Sequence, residues 1–354
     1  MKKSLIYSIF VLSICVLVSC FPDSKNRTLN TDSELKKVSN SVLDCDTLPT
    51  IKFSKIYIAD STDLLRIRNE YNFQVGASPE HKAFVTLNRK EFRFVRLRDT
   101  ILIPEMISKK ITDYSIFPPC YPAGKDIPKI IFISNKYQVY ACYERGKLVR
   151  FAAANTGKER TQTYPGRYSI NWTKEKHQSS LDSNWIMPFT INFHLAAGNA
   201  FHQYTMPGRP VSHSCVRQFP SDAKWLFNWV ERPRRDSASN EIVKGTPVIV
   251  LDVFDFTRKK YGPWMDLASN KSDVIKLPDS PMDYEEALIP ISQIPHGARG
   301  RLKDIQKFEA AEQVLRDRGI IRPKVVLIET KNFNEIRRKR ELEKLNKVDT
   351  TKQM

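Results

Sequence analysis

Between residues 126 and 255 apolar and polar positions alternate in short runs with the period of β-strands. KIIFISNKYQVYACYERGKLVRFAAANTG (129–157) reads as strand, turn at Ser134-Asn135, strand, turn at Arg145-Gly146, strand. Side chains two apart share one face of an extended chain, and Asn and Gly accept the dihedrals of tight turns. TYPGRYSINW adds a Pro-Gly turn and another strand, MPFTINFHLAAGNAFHQY gives further short apolar runs, and KGTPVIVLDVF closes with a strand. PSDAKWLFNWV breaks the pattern and predicts a helix with Ser221 or Asp222 as its N-cap. Many short strands with one helix predict a β-rich α+β domain.

The flanks are patterned differently. Within 45–122, SPEHKAFVTLN predicts a helix opened at Ser78, with Pro79 at the first helical position and Glu80 in the first turn. FRFVRLRDTILIP then alternates as one or two short strands, and "LNR…LRDTILIP" faintly resembles the end of a LysM glycan-binding module, with Arg98-Asp99 where a glycine is usual. An N-terminal α+β domain over 45–122 is the expectation. Residues 256–354 form a basic extension that alternates loop, helix (around 302–318), strand (KVVLIE, 324–329) and a last helix carrying EIRRKRELEKL. The Arg337–Arg340 run reads as a solvated face, or alternatively as a contact for anionic lipid or wall polymer whose strength would fall with salt.

The first residues decide the compartment. Lys2 and Lys3 precede an apolar run from Leu5 to Val18 that is short for a bilayer span, which predicts a secretion signal over 1–19. Its end, Leu17-Val18-Ser19-Cys20, resembles the lipobox of bacterial lipoproteins. That resemblance implies lipidation of Cys20 and a membrane-anchored protein outside the cytoplasm, in the cell envelope, with the polar, aperiodic stretch 20–44 as tether. An ordinary signal peptide with an incidental cysteine is the competing reading. The formal charge is +18 over 354 residues, and removal of 1–19 takes two lysines and no acids, leaving +16. Such a balance often marks nucleic-acid binding. An exported chain meets anionic wall polymer or lipid headgroups instead, so nucleic acid is not an expected partner.

Export also changes what the cysteines mean. Beyond Cys20 there are Cys45, Cys120, Cys142 and Cys215. Cys45 (DCDTLP) and Cys120 (PPCYP) sit in turn-like contexts and are expected to pair. Cys142 lies in an alternating strand as a small hydrophobe. Cys215, in PVSHSCVRQF, is left as a thiol kept free for chemistry. His194, His202 and His213 lie within the same 22 residues, and Arg217 follows. Such a set can be surface polarity, zinc ligands or a nucleophile with its base. The spacing fits no familiar zinc pattern and no carboxylate closes the set. A histidine that takes the thiol proton makes a strong nucleophile. Spacing alone does not choose between His202 and His213.

The stretch FHQYTMPGRPVSHSCVRQFPSDAKWLFNW resembles the signature of the L,D-transpeptidase catalytic domain of the YkuD type, together with YQVYACYERGKLVRFAAANTG, TYPGRYSI, MPF and GTPVIVL. The similarity covers about 126–253. It implies Cys215 as nucleophile, His202 as general base, Ser212 with His213 as the supporting pair, and Arg217 as an orienting residue. Gln203 stands where the family has glycine and would orient the base through its backbone carbonyl; Ser214 replaces the glycine before the cysteine and would be strained if that turn needs positive φ. The implied reaction is acyl transfer on peptidoglycan stem peptides through a thioester, giving 3→3 cross-links, with no metal and no organic cofactor. Alternatives at the same site are an L,D-carboxypeptidase and attachment of protein to the wall. A non-catalytic wall-binding lipoprotein is the alternative of another class.

Overall fold

The structure, a computed structural model, describes residues 43–71, 78–258 and 260–352. The expected leader over 1–19, the expected lipidation at Cys20 and the tether up to residue 42 lie outside them. At the N-terminal end, β1 (Phe53–Tyr57) and β2 (Thr100–Pro104) pair antiparallel, Phe53 opposite Pro104 and Tyr57 opposite Thr100. Two helices lie between them in sequence. Helix α1 (Ser61–Glu70) is capped by Asp60, whose carboxylate accepts from the amides of Thr62 and Asp63. Helix α2 (Pro79–Asn88) starts where its sequence predicts: Ser78 Oγ accepts from the His81 amide at 3.1 Å, and Pro79 holds the first helical position.

The centre is built from β3 (Lys129–Ser134), β4 (Val139–Glu144), β5 (Lys147–Ala153), β6 (Gly166–Ser169), β7 (Trp172–Gln178), β8 (Ile186–His194), β9 (Asn199–Gln203) and β10 (Val216–Gln218). They are followed by α3 (Pro220–Trp229), the two-residue hairpin strands β11 (Arg234–Arg235) and β12 (Ile242–Val243), and β13 (Pro247–Val250). One sheet runs β5-β4-β3-β13-β6, the other β10-β9-β8-β7. Neighbours are antiparallel except for β13 on β3 and β10 on β9, which are parallel.

Strand β3 shows why the five-stranded sheet is central. Ile131 and Ile133 face one core, shared with Ile191, Phe193 and Phe201 of the second sheet. Ile130 and Phe132 face a different core, shared with Phe53, Leu87 and Phe117 of the N-terminal segment and with Trp264. A strand covered on both sides needs a continuous apolar run, and KIIFIS supplies one. The segments flanking 126–255 are therefore layers of one compact unit that begins at Leu43. Cys45 and Cys120 form a disulfide with Cα atoms 5.7 Å apart, as their turn contexts suggested, and Cys142 is free and fully buried.

Three local expectations differ from the structure. Helix α3 begins at Pro220 after Phe219, with no side-chain cap. Asp222, expected as a possible cap, is instead drawn inward to Arg150, whose guanidinium also covers the Trp225 ring at 5.1 Å. KVVLIE forms no strand: the Val325 and Val326 carbonyls accept from Arg316 and Arg160 side chains, and the Ile328 carbonyl from Gln293 Nε2, so its backbone groups are used singly. Arg337, expected on a solvated face, ion-pairs with Asp182 at 2.6 Å. Its helix closes the chain: α4 (His296–Arg299), α5 (Ile305–Asp317) and α6 (Phe333–Lys352) make up the remaining helical segments.

Candidate active site

Parallel pairing of β9 with β10 sets Val216 beside Phe201 and Arg217 beside His202. Phe201 and Val216 both point into the core between the sheets. Alternation then puts His202, Arg217 and Cys215 on the opposite face. The second sheet is backed by α3, which packs on β8 and β9, with Leu226 in the core. Cys215 precedes β10 by one residue and is half-buried. Its Sγ lies 3.9 Å from the Gly198 carbonyl and accepts from the Ala200 amide. Burial pushes the thiol pKa up, and the Ala200 amide and Arg217 oppose that shift.

The two histidines differ sharply. His202 is buried, and its Nδ1 is 3.0 Å from the carbonyl oxygen of Gln203. A carbonyl only accepts, so this contact places the proton on Nδ1 and leaves Nε2 as the basic nitrogen. Substitution of glycine by Gln203 leaves that carbonyl in place, as the resemblance required. Burial lowers the His202 pKa to about 4, against the pull of the Gln203 carbonyl. His213 is exposed, leans on the Trp185 ring at 5.4 Å, and has Nε2 3.4 Å from Lys158 Nζ. Its pKa is also lowered to about 4, by desolvation first and then by Lys158 and Arg217. Both rings are therefore neutral near pH 7, and the resting site is a thiol with imidazoles. Among the described residues neither ring is hydrogen-bonded to Sγ. Cys215 lies two residues before Arg217, the partner of His202, so the two are offset by about 6–7 Å along the neighbouring strands.

The loop ahead of Cys215 is tied at Ser212 and at Ser214. Ser212 Oγ donates to the Cys215 carbonyl, while the Ser212 carbonyl accepts from Thr161 Oγ1 at 3.0 Å and the Lys158 amide at 3.1 Å. Ser214 has φ +74°, the region that favours glycine and costs a serine about 1–2 kcal/mol. Two bonds hold it there: Ser214 Oγ donates to Asn199 Oδ1 at 2.8 Å, and the Ser214 carbonyl accepts from Thr163 Oγ1 at 2.9 Å. Arg217 lies over the Tyr204 ring at 4.6 Å and donates to the Thr205 carbonyl at 3.2 Å, which locks the strand end that carries His202. His194 goes elsewhere: its Nδ1 accepts from the Ala197 amide at 3.0 Å, and its ring packs on Tyr168 and Phe308. Among the described residues no His, Cys, Asp and Glu side chains gather as a metal-ligand group, so the zinc-type reading of the four residues does not assemble.

Cys215 and His213 open into a cleft of about 690 Å³. Trp172, His177, Trp185 and Met187 line one side. The other side comes from the C-terminal segment: His296, Arg301, Glu329, Lys331 and Glu335. Sequence reasoning missed this wall, since nothing in the periodicity links residues 295–336 to a cysteine some hundred positions earlier. Trp185, in DSNW, was the one local signal, a lone indole among polar residues. An open basin of about 770 Å³, lined by Glu159, Arg160 and Arg322–Val326, contains no nucleophile.

Residues 128–250 match the family model of the YkuD L,D-transpeptidase catalytic domain, and this part of the chain is a domain of that type. Among solved structures, the chain is similar to an L,D-transpeptidase (Yku) from Stackebrandtia nassauensis at 24% identity, over 38% of this chain and 60% of that one, with a TM-score of 0.31. It is similar to an L,D-transpeptidase from Xylanimonas cellulosilytica at 19% identity, over 58% and 100%, with a TM-score of 0.32. A third, from Mycobacterium smegmatis, is 15% identical over 35% and 59%, with a TM-score of 0.30. The match thus spans about three-fifths of the first and third of these proteins. No curated protein matches the chain.

Proposed function

We propose that the protein is a cysteine-dependent peptidoglycan L,D-transpeptidase, with Cys215 as nucleophile and His202 as general base. The observation that carries this reading is the β9–β10 pairing, which sets both side chains on one face and fixes the His202 tautomer through the Gln203 carbonyl. The stem-peptide substrate follows from the matched domain. The thiol loses its proton toward His202 Nε2 as sulfur attacks the carbonyl of the third residue of a tetrapeptide donor. A neutral imidazole can accept that proton; burial raises the thiol pKa and lowers that of the imidazole, so transfer is uphill in the resting site and is proposed to accompany sulfur attack rather than precede it. The collapsing tetrahedral intermediate expels the terminal D-alanine, whose amine takes the proton back from His202, and leaves a thioester on Cys215. A side-chain amine of a neighbouring stem then attacks the thioester and gives a proton to His202; the C–S bond breaks, the proton returns to the Cys215 sulfur, and the 3→3 amide link remains.

Negative charge on the carbonyl oxygen needs fixed donors. The backbone amides of Ser214 and Cys215 are assigned that role, and the positive φ at Ser214 is the backbone state that shapes this turn. Ser212 and His213 hold the loop, and Arg217 fixes the strand end through Tyr204 and Thr205. Hydrolysis, with water replacing the amine, uses the same groups. Placement in the cell envelope by a lipidated Cys20 belongs to the same proposal and agrees with a Cys45–Cys120 disulfide, which persists in oxidising compartments.

The test is incubation with purified tetrapeptide muropeptides, read by mass. A covalent adduct on Cys215 of the tetrapeptide less its D-alanine, followed by dimers, is the expected result. No adduct and no D-alanine release from a folded protein would overturn the reading. Tripeptide alone would assign the carboxypeptidase reaction. Membrane fractionation of Cys20→Ser checks the anchor, with loss of processing or of membrane association expected.

A further inference from the structure

We propose that Arg301 and Lys331 form a carboxylate subsite in the Cys215 cleft, so that the C-terminal segment selects the peptide for its negative charge. The charged groups on that wall are unequally matched. Glu329 Oε1 accepts from His296 Nε2 at 2.8 Å and from Arg299 Nη2 at 3.1 Å. Glu335 accepts from Asn332 Nδ2 at 2.8 Å. Arg301 and Lys331 line the same cleft and are exposed, and their side chains make no hydrogen bond or ion pair among the described residues. Lys158 Nζ stands 3.4 Å from Nε2 of His213, which lines the cleft. Among the described residues no acidic side chain hydrogen-bonds to Cys215, His202 or His213. A ligand entering the cleft therefore meets two cationic side chains that have no partner among the described residues.

Chemistry narrows what those partners are. A guanidinium presents a planar fork that matches a carboxylate, and an ammonium adds a mobile point charge. The pair sits in a concave site where Trp172, Trp185 and Met187 supply apolar walls, which suits a peptide bearing carboxylates along an otherwise uncharged backbone. Arg301 and Lys331 are 30 residues apart in the chain. Two anchors bring them together: the Glu329 contacts to His296 and Arg299, and the Thr330 amide on the Ser292 carbonyl at 2.9 Å. These residues lie beyond 128–250, so the subsite is a property of this chain's own C-terminal segment.

The subsite rests on the reading of Cys215 as the acylated residue, and its test is built to be judged separately. The full chain is alkylated with iodoacetate, which carries a carboxylate, and with iodoacetamide, which is neutral, and modification of Cys215 is followed by peptide mass mapping. The rate ratio of the two reagents cancels any change in the thiol itself. In Arg301→Gln/Lys331→Gln the iodoacetate-to-iodoacetamide ratio falls about fivefold at low salt, the scale of two exposed ion pairs. In Arg301→Lys/Lys331→Arg it returns to the wild-type value. With stem tetrapeptides, kcat/KM falls by a similar factor in the glutamine variant, through KM, and the loss disappears when the peptide carboxylates are amidated. An unchanged alkylation ratio, or an equal loss on amidated peptide, overturns the subsite. Absence of any turnover in the wild type counts against the transpeptidase reading, and the alkylation ratio still decides the subsite.

Discussion

The two layers that cover the central sheets lie outside the matched domain, and they serve it in opposite ways. The back layer, residues 51–71 and 78–121 with Trp264–Leu267, buries Ile51, Phe53, Leu87, Tyr114 and Phe117 against Ile130 and Phe132, and none of these lines the Cys215 cleft. The front layer, residues 287–336, also buries apolar groups, among them Ile289, Ile294, Leu315 and Ile321, yet it carries polar and charged side chains into the cleft beside Cys215. A layer behind a rigid sheet acts through stability; one that lines a cleft acts on binding. Damage to the two should therefore register in different measurements.

The largest expected effect removes what both layers serve. Cys215→Ala should abolish adduct formation and turnover while leaving the thermal transition close to wild type, measured by mass and calorimetry. Residual turnover above about a thousandth would move the nucleophile elsewhere. Next in size, His202→Ala should lower turnover by roughly 10²–10⁴-fold. His213→Ala should have a smaller effect, concentrated in KM, because its ring is exposed and leans on Trp185. An alkylation profile against pH that is unchanged in His202→Ala but shifted in His213→Ala would reverse the two roles. His202 also predicts an acid limb. Its folded pKa of about 4 is below the ordinary 6.5, so its neutral form stabilises the fold above pH 6.5, and that contribution is lost as pH falls toward 4. Urea unfolding at pH 7 and pH 4.5 should therefore lose less stability in His202→Gln than in wild type, by on the order of 2 kcal/mol.

On the back layer, Trp264→Ala should cost about 3–5 kcal/mol of stability, since the indole is buried at 2% exposure. Its KM should be unchanged when measured well below the unfolding transition, and a raised KM would merge the two layers into one role. Cys45→Ser/Cys120→Ser should act similarly, at roughly 2–4 kcal/mol for a loop closed across 75 residues. The smallest stability effect belongs to the front. Arg337→Ala removes the ion pair that ties α6 to Asp182 near Trp185, where Phe333 packs on the indole at 5.8 Å. The Arg337 hydrogen bond holds the Asp182 carboxyl below its ordinary range, so the contact persists at neutral pH and is lost only as pH falls through that lowered pKa. A KM rise with little change in melting temperature is the expected signature.

These differences follow how far apart the cooperating residues lie in the chain. The strands of 129–153 were legible because alternation and turn residues are local, and so was helix α2, whose cap is three residues from its partner amide. The N-cap of α3 was misplaced because Asp222 had a better partner 72 residues away in Arg150. KVVLIE carried the composition of a strand, but its carbonyls are taken singly by the side chains of Arg316, Arg160 and Gln293, which lie far from it in the chain or on another element. Arg337 was legible as a charge and not as a clip, since Asp182 lies 155 residues before it.

The chain by itself determined which residues the proposed chemistry would use: a cysteine left free for chemistry, a histidine thirteen residues earlier and a Ser-His pair before the cysteine. It raised the strain at Ser214 only as a condition, which the structure meets with a φ of +74°. Which histidine has a fixed tautomer, and which cations enter the cleft, was decided only by the tertiary structure. Tautomer depends on a carbonyl's position, and an unpaired charge on which partners the fold denies it; neither is a property of residues taken in order.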